Sequence, residues 1–164
     1  MRQYNCRMRI ARVVTFALVL AQTGCAIGDG QQSHPTNLIT RHSLAGIHLR
    51  DSRSAVESIL GHGQPIKHQA QTLRYDGGLT VSYSTDPDGK PEVAWVSTTS
   101  PRFHTHSGVR IGSGEAAVEA LGHMNCAPTT TTRGNCQTLA HGPGLSLDLV
   151  NGRVTEIWLV ERTN

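Results

Sequence analysis

Apolar and polar residues alternate along two stretches of this chain. The apolar positions are Leu79, Val81 and Tyr83 in the first stretch and Leu145, Leu147 and Leu149 in the second. Successive side chains of a β-strand point to opposite faces, so each stretch predicts a strand with one buried face. Asn151-Gly152 is a hairpin signal, and Asp88-Gly89 indicates a longer turn at the corresponding place in the first stretch. The return strands are predicted at residues 92–98 and 153–161.

The register of the second hairpin depends on a bulge. With a strict two-residue turn, Leu147 would face Glu156, which would put a carboxylate on the apolar side. An extra residue after the Asn151-Gly152 turn would rotate Ile157 and Leu159 to that side instead. We therefore expect a bulge in the return strand.

A short helix is predicted ahead of each of these strand units. Its apolar face consists of Ala55, Val56, Ile59 and Leu60 in the first copy, and of Ala117, Val118 and Leu121 in the second. The predicted N-terminal caps are Asp51 and Ser52 in the first copy and Ser113 in the second, and the predicted stops are Gly61 and Gly122. Helices of two or three turns do not persist alone, so we expect them to lie on a sheet.

These elements occur twice, which indicates a tandem duplication. The segment from Gly46 to His62 resembles the segment from Gly108 to His123, and Thr72-Leu73 resembles Thr138-Leu139. The sequence predicts repeat 1 at residues 46–107 and repeat 2 at 108–164, within one globular domain over 46–164. Each repeat would contain a short strand, a helix and an antiparallel β-meander. The predicted fold class is α+β, with the helices on one face of a shared, mostly antiparallel sheet.

The recurring residues resemble those of known families. They are Ala55-Val56, Leu60-Gly61 with Pro65, Gly78-Leu79, Ala117-Val118, Leu121-Gly122, Gly144-Leu145 and Gly152-Arg153-Val154. Their order resembles the repeat of the β-lactamase inhibitory proteins and the single unit of the small lipoprotein of the outer-membrane β-barrel assembly machinery. The resemblance implies a non-catalytic protein whose sheet face opposite the helices binds another protein. It carries over no contact residue, and the second copy lacks a proline at the place of Pro65.

The N-terminus reads as an export signal. Four arginines are followed by an apolar run at residues 13–21, which is shorter than the roughly 20 residues of a membrane-spanning helix. Thr23-Gly24-Cys25 resembles a bacterial lipobox, which implies cleavage after residue 24 and lipidation of Cys25; ordinary secretory cleavage nearby is the alternative. Translation could start at Met1 or Met8. Residues 25–45 are predicted to be a flexible, lipid-anchored tether, because they are polar and poorly patterned.

Removing the signal changes the charge of the chain. Four of the 15 Lys and Arg residues precede Cys25, which leaves 11 basic against 12 acidic residues, a formal charge of −1. The remaining basic residues are scattered, so the composition predicts no nucleic-acid partner.

Cys126 and Cys136 flank a polar loop that has no cysteine counterpart in the first repeat. In an exported protein, two cysteines around such a loop predict a disulfide. The alternative is a zinc site formed by these two cysteines with His123 and His141. The residue types and the spacing of the four are compatible with zinc ligands. The disulfide is the preferred interpretation, and no cofactor is expected.

Trp95 and Trp158 lie in the two return strands. With the bulge in place they would point away from the helices, onto the open face of the sheet, where tryptophans are candidate binding anchors. In the alternative interpretation they are core aromatics that fill gaps left by small residues.

The pattern as a whole favours binding over catalysis. The chain has no Gly-x-Ser-x-Gly elbow, phosphate loop or dinucleotide fingerprint. We expect an exported, lipid-anchored protein on the outer face of a bacterial membrane, or else a secreted or periplasmic one, that is not an enzyme. Its sheet face would bind a protein or another envelope component. The alternatives are an envelope metal-binding or sensing protein that uses histidines with Cys126 and Cys136, and a small hydrolase.

Overall fold

The computed structural model describes residues 36–139 and 141–162, and these belong to one compact unit. The predicted export signal, the lipidation site Cys25 and the tether up to residue 35 lie outside the described residues. None of the described helices has the length and apolar character needed to cross a membrane.

The described chain contains twelve strands and two helices. In chain order they are β1 Leu38–Ile39, β2 Ser43–Leu44, β3 Ile47–His48, α1 Arg53–Leu60, β4 Gln64–Ile66, β5 Gln69–Tyr75, β6 Leu79–Thr85, β7 Pro91–Thr98, β8 His104–Thr105, α2 Glu115–Glu119, β9 Met124–Pro128, β10 Arg133–Thr138, β11 Gly142–Val150 and β12 Arg153–Arg162. They form an eight-stranded antiparallel sheet in the order β4-β5-β6-β7-β12-β11-β10-β9 and a four-stranded sheet in the order β3-β2-β1-β8.

The prediction of an α+β fold with helices on one sheet face is wrong. Of the described residues, 52% lie in strands and 10% in helices, and the strands form two sheets rather than one. The physical reason is that the helices are short and bury little. Helix α1 has eight residues and α2 has five, and each fully buries a single side chain, Val56 or Val118. The strands therefore supply most of the core.

The caps of the two helices differ. Ser52 accepts a hydrogen bond from the backbone N–H of Ala55 at 3.2 Å, so the predicted cap of α1 is confirmed. Helix α2 begins at Gly114 without a side-chain cap, and the hydroxyl of Ser113 accepts from the N–H of Arg110 at 3.0 Å instead. The predicted Ser113 cap is therefore wrong.

The folded unit starts before the predicted boundary at residue 46. Strands β1 and β2 form the four-stranded sheet with β3 and β8, with β1 and β8 running parallel. Ile39 and Leu44 are buried in the hydrophobic core, which also contains residues of the large sheet and of both helices. Residues 38–45 thus belong to the folded domain, so that any tether ends ahead of them.

The bulge predicted in the second hairpin is confirmed. Asn151 and Gly152 both have positive φ, 51° and 70°, as a two-residue hairpin turn requires. Leu149 pairs with Val154, whereas Asp148 pairs with Glu156, so Thr155 is the extra residue. Beyond it, Ile157 and Leu159 are fully buried.

The first repeat contains the same bulge. Tyr83 pairs with Val93 and Ser82 with Trp95, which leaves Ala94 as the extra residue of β7. Backbone contacts also recur. The N–H of Arg50 donates to the carbonyl of Val93 at 2.8 Å, and the N–H of Gly112 donates to the carbonyl of Val154 at 2.8 Å. Each repeat contributes four neighbouring strands to the large sheet, and the two halves join where β7 pairs with β12.

One predicted correspondence between the repeats has the wrong register. Leu73 pairs with Val81 in the first repeat, and Cys136 pairs with Leu147 in the second. Val81 and Leu147 occupy the same place after their Gly-Leu pairs, so the counterpart of Leu73 is Cys136 rather than Leu139. Leu139 is 60% exposed, whereas Leu73 and Cys136 are buried. The sequence similarity between Thr72-Leu73 and Thr138-Leu139 therefore aligns positions that are three residues out of structural register.

Candidate binding face

The eight-stranded sheet has two chemically different faces. One carries the buried apolar residues of the alternating strands. The other, which we call the open face, carries at its centre Ser82, Trp95, Ser97, Asn135, Ser146, Asp148, Glu156 and Trp158, as the strand registers require. Most of these side chains are half-buried, and Ser97 is buried. The open face is therefore a mixed aromatic and polar surface rather than a second core.

Trp95 and Trp158 form the aromatic part of the open face. They project from the neighbouring strands β7 and β12, where Trp95 pairs with Val160 and Trp158 with Ser97. Their ring centroids are 4.9 Å apart and the ring planes meet at 59°, a tilted arrangement that aromatic pairs favour. Both rings are half-buried. The structure thus brings together the two tryptophans that the sequence singled out.

Asp148 connects the aromatic pair to a polar network. Its Oδ2 accepts a hydrogen bond from Nε1 of Trp158 at 3.2 Å, and its Oδ1 accepts one from Nδ2 of Asn135 at 2.7 Å. The same Asn135 amide nitrogen lies 2.9 Å from Oγ of Ser146, to which it also donates. These contacts fix the carboxylate of Asp148 against the edge of the Trp158 ring.

Glu156 lies directly opposite Asp148 across the β11–β12 pair. The pKa of Glu156 is raised above its ordinary value, mainly because partial burial disfavours the charged form and also because the negative charge of Asp148 is close. A hydrogen bond from the hydroxyl of Ser97 acts in the opposite direction but does not cancel these effects. The open face thus holds two like charges side by side.

Among the described residues, no cationic side chain forms an ion pair with these two carboxylates, and Arg133 lines the same cavity of about 300 Å³ as both of them. The ion pairs among the described residues join His48 to Asp51, and Glu57 to Arg53 and His62. None of them includes Asp148 or Glu156. The acidic pair is held by hydrogen-bond donors alone. Within the described residues, neither carboxylate is therefore engaged in an ion pair.

The aromatic and acidic residues occupy positions at which the two repeats differ. Trp95 pairs with Ser82 in the first repeat, and the corresponding pair in the second is Glu156 with Asp148. Likewise Ser97, opposite Thr80, corresponds to Trp158, opposite Ser146. Ser97 and Trp158 face each other across the junction of the two halves. The repeats share their packing residues, whereas the open face at their junction is chemically asymmetric.

Cys126 and Cys136 face each other on the edge strands β9 and β10, and their sulfur atoms lie at disulfide distance, 2.03 Å. The pairing predicted from the sequence is therefore present, and it removes both sulfurs from the set of possible thiolate ligands. His123 lies beyond α2 with a positive φ of 58°, and His141 is exposed. Within the described residues, the one cluster of possible metal ligands is Glu115, Glu119 and Cys126, which the disulfide reduces to two exposed carboxylates.

A separate cleft of about 550 Å³ lies at the end of β10. Its apolar lining comes from Ile39, Leu121, Met124, Leu139 and Leu145, and its polar lining includes His106, Ser107 and His123. The lining contains no carboxylate side chain among the described residues. The cleft is distinct from the open face and does not include either tryptophan.

Sequence reasoning identified Trp95 and Trp158 but missed Asp148, Glu156 and Asn135. A signal for Asp148 was present, because it alternates with Leu147 and Leu149 and so had to share a face with Trp158 once the bulge was placed. Comparison of the chain with protein-family models, curated proteins and solved structures finds no match. The resemblance to the β-lactamase inhibitory proteins and the small assembly lipoprotein therefore stays a prediction.

Proposed function

We propose that this chain is an exported, lipid-anchored binding protein of a bacterial envelope, without catalytic activity, whose open face binds another protein. The observation that carries the proposal is the Trp95–Trp158 pair, half-buried and in mutual contact on the face opposite the core. Tryptophan is enriched among the residues that dominate the energy of protein interfaces. A ring of hydroxyl, amide and carboxylate groups around an aromatic centre also matches the usual anatomy of such interfaces.

The metal-binding alternative receives less support. It needed thiolates from Cys126 and Cys136, and these sulfurs lie at disulfide distance. His123 and His141 then remain without the two partners that the zinc site required.

Photo-crosslinking in intact cells tests the binding proposal. A photoreactive amino acid in place of Val160, which pairs with Trp95, would sit on the open face. The same group in place of Ser58, which is exposed on α1, is the matched control. We expect a discrete protein adduct from position 160 that is absent from position 58 and is lost on adding Trp95→Ala and Trp158→Ala. Identical adducts from both positions, or none from position 160, would refute the proposal.

Lipid anchoring needs its own experiment, because Cys25 and the segment before it lie outside the described residues. Cells labelled with a fatty-acid probe should yield a labelled membrane-associated protein, and Cys25→Ser should abolish the label. An unlabelled parent protein in the cytosolic fraction would contradict both export and anchoring.

A further inference from the structure

The open face contains an electrostatic cost that no ion pair of the described residues offsets. Asp148 and Glu156 are directly opposed on neighbouring strands, an arrangement that destabilises a sheet when both groups are charged. Partial burial of Glu156 adds to the cost, and the pKa of its carboxyl is raised accordingly. Like charges placed side by side on a partly buried surface are typical of a site whose function has a cost in stability.

The carboxylates of Asp148 and Glu156 can accept further hydrogen bonds but have none to donate. Each oxygen of Asp148 accepts one hydrogen bond, from Trp158 or Asn135, and Glu156 accepts one from Ser97. Because a carboxylate oxygen can accept two hydrogen bonds, both groups could accept more. A ligand with several N–H donors and a positive charge would supply what is missing.

The tryptophans add a second attraction for a cation. The face of an indole ring is electron-rich and attracts guanidinium and ammonium groups lying within about 6 Å of its centroid. Trp158 is joined to Asp148 by a hydrogen bond, and Trp95 packs against Trp158. The aromatic pair therefore adjoins the acidic pair on the open face, with Trp158 beside both carboxylates.

We propose that this part of the open face is a recognition site for a lysine or arginine side chain presented by the partner protein, held by Asp148 and Glu156 and packed on Trp95 or Trp158. The proposal rests on the protein-binding function proposed above and names the chemistry of its partner. A neutral sugar could stack on the rings but would leave the like charges unbalanced. A nucleic acid would be repelled by them.

A peptide titration measures this recognition without knowledge of the partner. The probes are acetyl-Gly-Ser-Arg-Ser-Gly-amide and the same peptide with neutral citrulline for arginine, added to the mature chain carrying Cys25→Ser. The sequence holds two tryptophans, so the indole N–H region of a ¹⁵N spectrum contains two side-chain signals. We expect the Trp158 signal to shift and saturate in the millimolar range with the arginine peptide, and at least fivefold more weakly with citrulline.

Isosteric variants link the shift to the acidic pair. Glu156→Gln and Asp148→Asn should each weaken the arginine response, whereas Glu119→Gln, an exposed acid on α2, should leave it unchanged. Signal dispersion reports whether each variant is folded. Equal responses to arginine and citrulline, or no response to arginine, would overturn the proposal. So would a shift caused by calcium chloride or neutral cellohexaose when arginine causes none.

The same two variants separate this proposal from the proposed function. If the adduct from position 160 forms in the parent and persists at full yield in the Asp148→Asn, Glu156→Gln double variant, the face binds a protein but not through a cation. If the parent forms no adduct, the binding function itself fails.

Discussion

The indole Nε1 of Trp158 donates a hydrogen bond to Oδ2 of Asp148 at 3.2 Å, and this contact joins the aromatic and acidic parts of the open face. The two residues lie on neighbouring strands of the second repeat. Trp158 also faces Ser97 of the first repeat, so this position lies where the two halves of the sheet meet. Side chains that differ between the two halves thus lie at the centre of the sheet.

Replacing Glu156 with glutamine should stabilise the protein at neutral pH. The folded-state pKa of Glu156 is raised above the ordinary 4.5, so the folded state binds this proton more tightly than the unfolded state. The resulting contribution to the free energy of unfolding is fully present below pH 4.5 and is lost as pH rises through the raised pKa. Glutamine mimics the protonated form and can still accept from Ser97. We expect Glu156→Gln to raise the free energy of unfolding at pH 7 by up to about 1 kcal/mol.

The gain from Glu156→Gln should shrink as pH falls and vanish near about pH 4, where the parent carboxyl is protonated. Urea denaturation of parent and variant at both pH values measures the difference. Destabilisation by Glu156→Gln at pH 7 would show that the charge of Glu156 supports the fold, contrary to this account.

Deleting Thr155 should leave the protein folded. Without the bulge residue, Val154 would still pair with Leu149 and Glu156 with Asp148, so Ile157 and Leu159 would remain on the buried face of a regular hairpin. Thr155→Ala is the matched control, because it keeps the bulge and loses only an exposed hydrogen bond to the carbonyl of Asp148. We expect the control to lie within about 0.5 kcal/mol of the parent. Circular dichroism and thermal melting measure both variants, and loss of the cooperative melt in the deletion would contradict the assigned register.

The buried hydroxyls of Tyr75 and Tyr83 should show energetic coupling. Their oxygens lie 2.7 Å apart in a shared hydrogen bond, and partial burial raises the pKa of both phenols. Tyr83→Phe leaves the Tyr75 hydroxyl without this partner and should cost about 1–2 kcal/mol. Because the double variant removes both polar groups, it should cost less than the sum of the single variants. Strict additivity in a double-mutant cycle would argue against the bond.

The Cys126–Cys136 pair should stabilise the edge of the large sheet. The cysteines are 10 residues apart, and on the chain-entropy model closing a loop of this size contributes roughly 3 kcal/mol. We expect the Cys126→Ser, Cys136→Ser double variant to melt at a lower temperature than the parent, and dithiothreitol to lower the parent's melting temperature to a similar value. An unchanged melting temperature in both experiments would show that the edge is held by its hydrogen bonds alone.

Local chemistry allowed the sequence to predict part of this structure. Asn151-Gly152 specified a hairpin turn, and the conflict between Leu147 and Glu156 specified a bulge, because both depend on neighbours along the chain. The Ser52 cap was predictable for the same reason. These features required no knowledge of which strands pair over long distances.

Long-range pairing explains what the sequence did not reveal. Strands β1 and β8 have two residues each and pair across more than half of the described chain, so no periodicity marks them. The contact between Trp95 and Trp158 depends on the junction of β7 with β12, which sequence patterns leave open. The acidic pair was missed because charged residues at alternate positions of a strand are ordinarily read as solvated.

The affinity of the purified, full-length partner, identified from its adduct with position 160, tests the central claim most directly. Isothermal titration should show that Trp95→Ala and Trp158→Ala together weaken binding by at least about 100-fold, as expected when two anchors of an interface are lost. Leu139→Ala, which removes an exposed apolar side chain beside the separate cleft, should stay within about twofold of the parent. Undiminished affinity in the folded double tryptophan variant would contradict the claim that the open face is the binding surface.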